Sequence, residues 1–177
     1  MSATGPTPVP ASGGVRIGVD VGSVRVGVAV SDPEGLVAIP LLTLTRRPGS
    51  SAELVQLANL VRERAAVGVV VGLPRRLAGD EGPAARAARE YATALARLVA
   101  PVQVRLVDER LTTVSAARGL RASGVRGRRG RAVIDQAAAS LILQVALDVE
   151  RSTGRPTGDL VHLPATSGPD TAETEPR

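Results

Sequence analysis

Acidic residues of three separate elements occupy positions where acids are costly. Asp20 falls inside the apolar run Gly18-Val19-Asp20-Val21-Gly22, Asp108 and Glu109 end the run that begins at Val102, and Asp135 enters a long apolar helical stretch. An ionised carboxylate withdrawn from water costs several kcal/mol unless it is paired or holds a cation. Asp20 in a buried strand therefore points to a metal or phosphate site at the strand's end. Three carboxylates brought together from separate elements, with no lysine or histidine between them, would repel one another unless cations intervene. Two Mg2+ or Mn2+ ions about 4 Å apart would satisfy that charge and could clamp the attacking and leaving oxygens of a phosphodiester displacement. Asp135 shares one helical face with Ala138, Ala139, Ile142, Val145 and Ala146, so it points inward. Each acid alone also has an ordinary explanation: an Asx turn before Gly22 for Asp20, a solvated acid beside Arg110 for Glu109, and a dipole-favoured first-turn residue for Asp135. Only the combination is specific.

The rest of the composition narrows the chemistry. The 177 residues contain no cysteine, which excludes disulfides, zinc-thiolate centres and thiol nucleophiles and leaves oxygen-ligated hard cations as the inorganic partners. His162, the lone histidine, lies in a Pro-rich region, so an attacking water would be activated by metal and not by imidazole. The net charge is +5 and every basic residue is arginine, which suits a polyanionic partner. The same Ala, Arg, Gly and Val richness also follows from a GC-rich genome, so bulk charge decides little by itself. Tyr91 is the single aromatic residue, which argues against modules that stack bases on aromatic platforms. The N-terminus lacks the basic start and apolar run of a signal peptide, and no apolar stretch is expected to span a membrane. The expectation is a soluble cytoplasmic protein.

Length and patterning imply one domain at 15–151, with Pro-, Ser- and Thr-rich segments at 1–14 and 152–177 expected to be disordered. Val15 to Val21 and Val24 to Ser31 are β-branched runs joined at Gly22-Ser23, and Leu36 to Leu44 reads as a third strand. A helix from Ser51 to about Ala65, a strand at Val67 to Val71, a helix from Pro83 to about Leu98 and a strand at Val102 to Val107 follow. Thr112 or Thr113 is expected to cap a helix to about Ala122, and Ala132 to about Arg151 forms the last one. The order βββαβαβαα implies an α/β fold: a three-strand antiparallel meander extended by parallel strands into a mixed sheet covered by helices. The C-terminal ends of the parallel strands would bring the acids to one edge.

These residues carry a resemblance. Asp20-Val21-Gly22 with Gly27-Val28-Ala29-Val30-Ser31-Asp32, Val71-Gly72-Leu73-Pro74 with Gly79, Asp108-Glu109-Arg110-Leu111-Thr112-Thr113, and Asp135 with Leu141-Ile142-Leu143-Gln144 form an ordered set. The set resembles the YqgF family, also called RuvX, of pre-16S rRNA nucleases or Holliday junction resolvase-like proteins, over about Val15 to Glu150. The resemblance implies a ribonuclease H-like fold, divalent-metal hydrolysis of phosphodiester bonds, an acidic triad at Asp20, Glu109 and Asp135, and maturation of the 5′ end of 16S ribosomal RNA. Family members often carry lysines before the last-helix aspartate, where this chain has Arg126-Gly127-Arg128-Arg129-Gly130-Arg131. Arginine keeps the charge and adds bidentate phosphate geometry.

Positive charge accompanies the acids. Arg118, Arg121, Arg126, Arg128, Arg129 and Arg131 lie in one acid-free stretch before Asp135, and Arg75 and Arg76 follow the turn at Gly72-Leu73-Pro74. All eight are candidate phosphate contacts, with solvated basic loops as the plain alternative. Three functions compete. A sugar kinase or actin-like ATPase also uses an Asp-x-Gly hairpin, but needs two lobes where this chain supplies one. A non-catalytic nucleic-acid-binding module would not need all three acids. A nuclease does, with pre-ribosomal RNA and branched DNA as alternative substrates, since no residue reports a contact with a 2′-hydroxyl. A homodimer is left open.

Overall fold

The computed structural model describes residues 13–76, 80–111 and 128–163. In chain order these form β1 (Arg16–Val21), β2 (Arg25–Ser31), β3 (Ala38–Thr45), α1 (Ala52–Glu63), β4 (Gly68–Leu73), α2 (Pro83–Val99), β5 (Gln103–Asp108), a 3-10 turn (Glu109–Leu111), α3 (Arg128–Thr153) and β6 (Asp159–Leu160). The strands make one sheet in the order β3-β2-β1-β4-β5-β6. β1, β4 and β5 run parallel, while β2, β3 and β6 pair antiparallel to their neighbours. The mixed α/β sheet read from the sequence is thus the observed one. Its strand boundaries move by no more than two residues.

Alternation along the central strands divides two cores. Ile17, Val19, Val26, Val28, Val69, Val71, Val104 and Leu106 face α1 and α2, joined by Leu57, Val61, Tyr91 and Leu95. The opposite face presents Ala29, Val70 and Val107 to Ala138, Ala139, Ile142, Leu143, Ala146 and Leu147 of α3. Full burial of each large aliphatic side chain stabilises by roughly 1.5–3 kcal/mol. The small residues matter differently, because they set how closely α3 approaches. A Cβ on Gly18 would lie 2.6 Å from Leu143 Cβ and 2.8 Å from the Ala139 carbonyl oxygen, so glycine in the sheet and alanine in the helix let backbone rest on backbone.

Three expectations change. The chain does not leave the fold at residue 152: α3 continues to Thr153, and Gly154 and Gly158, both at positive φ, turn the chain back so that β6 pairs with β5. Thr157 Oγ1 donates to the Ala146 carbonyl at 3.1 Å and the Val161 amide donates to Val104 O at 2.9 Å. Gly154, Pro156 and Gly158, which read as part of a disordered tail, lie in the connection between α3 and β6. α3 also begins four residues earlier than Ala132, because arginines are good helix formers and Gly130 is tolerated. Finally, Gly130–Thr153 is long and apolar enough to cross a membrane by length and composition, contrary to expectation. In the fold that apolar stripe is spent on the sheet, and Gln144 on the same helix is anchored by accepting the Ala38 amide at 2.9 Å. The helix expected after Thr112 or Thr113 lies outside the described residues.

Candidate acidic site

Asp20 is the fifth residue of β1 and pairs directly with Gly27 of β2. Directly opposed residues in an antiparallel pair share a face, and Gly18 and Gly27 both face α3, so Asp20 does too. Gly27 lies under the start of the helix core: a Cβ there would fall 2.0 Å from the Asp135 carbonyl oxygen. One glycine is therefore the floor between Asp20 and Asp135. Glu109 follows β5, where Asp108 pairs with Leu73 of the parallel strand β4. Its Oε1 lies 2.5 Å from where a Gly72 Cβ would stand, and Ile142 Cδ1 of α3 crowds the same point at 2.6 Å. Gly72 thus gives Glu109 passage across β4.

All three acids are buried, with Asp20 1 %, Glu109 3 % and Asp135 6 % exposed. They come from a strand, a turn after a strand and a helix, and all lie on the α3 side toward the C-terminal ends of β1, β4 and β5. In open α/β sheets that edge is where ligands bind. Hard carboxylate oxygens with no thiol or imidazole beside them are the donor chemistry that Mg2+ or Mn2+ takes. The ligand set is not ready-made, however. Among the described residues no three Asp, Glu or His side chains are arranged to hold a metal ion as they stand. At Asp135, Oδ2 accepts from Arg25 Nε at 2.7 Å.

Asp108 turns the other way, as alternation requires. It is bound by Arg110 through Nε at 3.0 Å and Nη2 at 2.6 Å, and the Arg110 guanidinium holds its carboxyl below the usual carboxylate range. Arg75, a candidate phosphate contact, joins this cluster: its Nη2 lies 3.4 Å from Glu81 and 3.9 Å from Asp159, and its Nη1 3.9 Å from Asp108. Arg76 pairs with Asp80 at 3.1 Å. Both arginines are thus engaged by acids of the loop before α2 and of β5 and β6. Arg131 is exposed and stands one helical turn before Asp135. Arg128 and Arg129 open α3, and Arg118, Arg121 and Arg126 lie outside the described residues.

Two groups escaped sequence reasoning. Arg25 stands two residues before Gly27 on the same strand, so its parity placed it on the acid face all along. Arg46 reaches beneath the β1–β2 turn, donating through Nη1 to the Gly22 carbonyl at 2.8 Å, while its Nε lies 3.6 Å from the buried Glu53 and its guanidinium sits 5.3 Å from the centre of the Tyr91 ring. The signal for Glu53 was its four-residue spacing from Leu57 and Val61 on the apolar stripe of α1.

Comparison with known proteins bears on the family and the fold. The family profile described as "RuvX: Holliday junction resolvase" matches residues 14–149. A protein of Frankia casuarinae named "Putative pre-16S rRNA nuclease" is 54 % identical over 163 residues, covering 92 % of this chain and 80 % of its own length. A Streptomyces coelicolor protein of the same name is 54 % identical over 150 residues, covering 85 % and 89 %. Among solved structures, T. thermophilus RuvC in complex with a Holliday junction substrate superposes with a TM-score of 0.54 at 16 % identity, over 81 % of this chain and 99 % of that one. The shared feature is the fold, which is ribonuclease H-like.

Proposed function

Because the chain belongs to the RuvX family, whose members are nucleases acting on phosphodiester bonds, we propose that it hydrolyses precursor 16S ribosomal RNA in the cytoplasm, with two Mg2+ or Mn2+ ions held by Asp20, Glu109 and Asp135. The observation that carries the reading is the burial of three carboxylates from three elements on one face of the sheet. Burying three like charges in a protein of this size is tolerable when the charges are neutralised, and Arg25 contributes to that at Asp135. Bound cations would supply the remaining neutralisation and the activation of water. The chain's own groups do the rest: Gly27 and Gly72 fix where Asp135 and Glu109 lie, α3 excludes water beneath them, and Arg131 with its neighbours at the start of α3 would hold the phosphate backbone next to the acids.

Asp20→Asn removes one negative oxygen without changing the volume of the buried side chain. Cleavage of a precursor 16S 5′ leader in Mg2+ or Mn2+ should then fall by at least about a thousandfold, in the range seen when a central catalytic group is lost, with an unchanged circular dichroism spectrum. Full chelator-sensitive activity in that variant would sink the proposal. The description of the family as Holliday junction resolvases favours branched DNA as the second reading. Cleavage of the RNA leader and of a four-way DNA junction by one preparation, in each metal, separates the two.

A further inference from the structure

Arg25 holds one of the three site carboxylates, Asp135, from the neighbouring strand. Its Nε bonds Asp135 Oδ2 at 2.7 Å, and no other hydrogen bond or ion pair of its side chain occurs among the described residues. Its backbone is fixed by the sheet, where it pairs with Thr45, and by its carbonyl, which accepts the Gly22 amide at 2.8 Å. The guanidinium therefore swings from a rigid base at the mouth of the site. Its side chain is 26 % exposed, whereas Asp135 beneath it is buried. Of the two partners, the arginine is the more accessible to solvent.

A guanidinium bound through Nε alone still presents its two terminal nitrogens, the fork that matches a phosphate. We propose that Arg25 gates the acidic site: in the free protein it holds Asp135 away from a cation, and an incoming phosphodiester takes over the guanidinium and releases Asp135 to complete the donor set with Asp20 and Glu109. Full metal loading then depends on substrate. The inference rests on the metal-site reading above and adds a positioning residue that acts through Asp135. It is consistent with three buried acids on one face, one of them held by an arginine.

Metal binding and turnover should part company when Arg25 is removed. Calorimetric titration of the full chain with Mn2+, without nucleic acid, should show about tenfold tighter binding by Arg25→Ala than by the unaltered protein, the scale on which neighbours of metal ligands tune affinity. Arg25→Lys, which keeps the charge but loses the planar Nε contact, should fall between them. Cleavage of the RNA leader by Arg25→Ala should drop about tenfold or more despite the tighter metal. The gain must vanish in Arg25→Ala/Asp135→Asn, because it runs through Asp135. A phosphorothioate RNA 12-mer should tighten Mn2+ binding to the unaltered protein, and by at least about fivefold less in Arg25→Ala. Should Arg25→Ala fail to fold by circular dichroism, Arg25→Gln takes its place in each measurement. Mn2+ affinity that is unchanged or weaker in the Arg25 variants, or a gain that survives Asp135→Asn, overturns the gate. Undiminished Mn2+ binding by Asp20→Asn overturns instead the metal reading beneath it.

Discussion

Gly27 shows how much of the site depends on an atom that is not there. A methyl group at this position would stand 2.0 Å from the Asp135 carbonyl oxygen and 2.4 Å from its carbonyl carbon, both backbone atoms that cannot rotate aside. The helix would have to lift, and Asp135 would rise with it from Asp20, the residue paired with Gly27. Gly27→Ala should therefore destabilise by roughly 1–3 kcal/mol, the cost of overpacking a tight core, and should lower cleavage of the RNA leader more than stability alone explains. Gly68→Ala is the control, since a Cβ there meets nothing nearer than Gln103 O at 3.9 Å. Urea melts of the two variants beside the unaltered protein make the comparison. Equal midpoints for Gly27→Ala and Gly68→Ala would show that the helix has room the geometry denies it.

Between α1, α2 and the β1–β2 turn, the buried Tyr91 and Glu53 and the half-buried Arg46 form a cluster that supports the turn following Asp20. Burial first, and the charge of Glu53 second, push the Tyr91 phenol well above its ordinary value. The fold thus favours the neutral phenol. The stability this contributes is complete below the unfolded value near pH 10 and is lost as pH rises beyond it, because only the unfolded chain ionises easily there. Tyr91 is the single aromatic residue, so phenolate absorbance reports it alone. That absorbance should stay flat past pH 10 and then rise together with the loss of helical circular dichroism; a separate earlier rise in the folded protein would contradict the burial. This cluster also marks where sequence stopped being informative. Asp20 and Asp135 were legible because charge inside an apolar strand or stripe violates a local pattern, whereas Glu109 was told from Asp108 only by the family resemblance. Arg25 was passed over because arginine near a turn is ordinary locally, and its role appears only when α3, more than a hundred residues later, is laid across β2. β6 was hidden for a related reason: the two residues after Gly158 are too few to carry a period, and only pairing with β5 makes them a strand.

Over the whole molecule the net charge of +5 is unevenly available. Arg75, Arg76, Arg89 and Arg110 are all within salt-bridge reach of acids at the α2 end of the sheet. Arg131, exposed on the first turns of α3, makes no salt bridge among the described residues and lies on the side of the acidic site. A cation already neutralised by a carboxylate displaces few counterions from a nucleic acid, whereas an unneutralised one displaces its full share. The two groups should therefore separate in the salt dependence of binding. With chelator present to prevent cleavage, the affinity for a labelled precursor 16S leader, read by fluorescence anisotropy across a salt series, should fall linearly on logarithmic axes. Arg131→Ala should make that slope shallower by about 0.7–0.9 for the lost phosphate contact, while Arg76→Ala should leave it nearly unchanged. An equal loss in both variants would mean that substrate spreads over the α2 end as well, and that the ion pairs of Arg75 and Arg76 open to receive it.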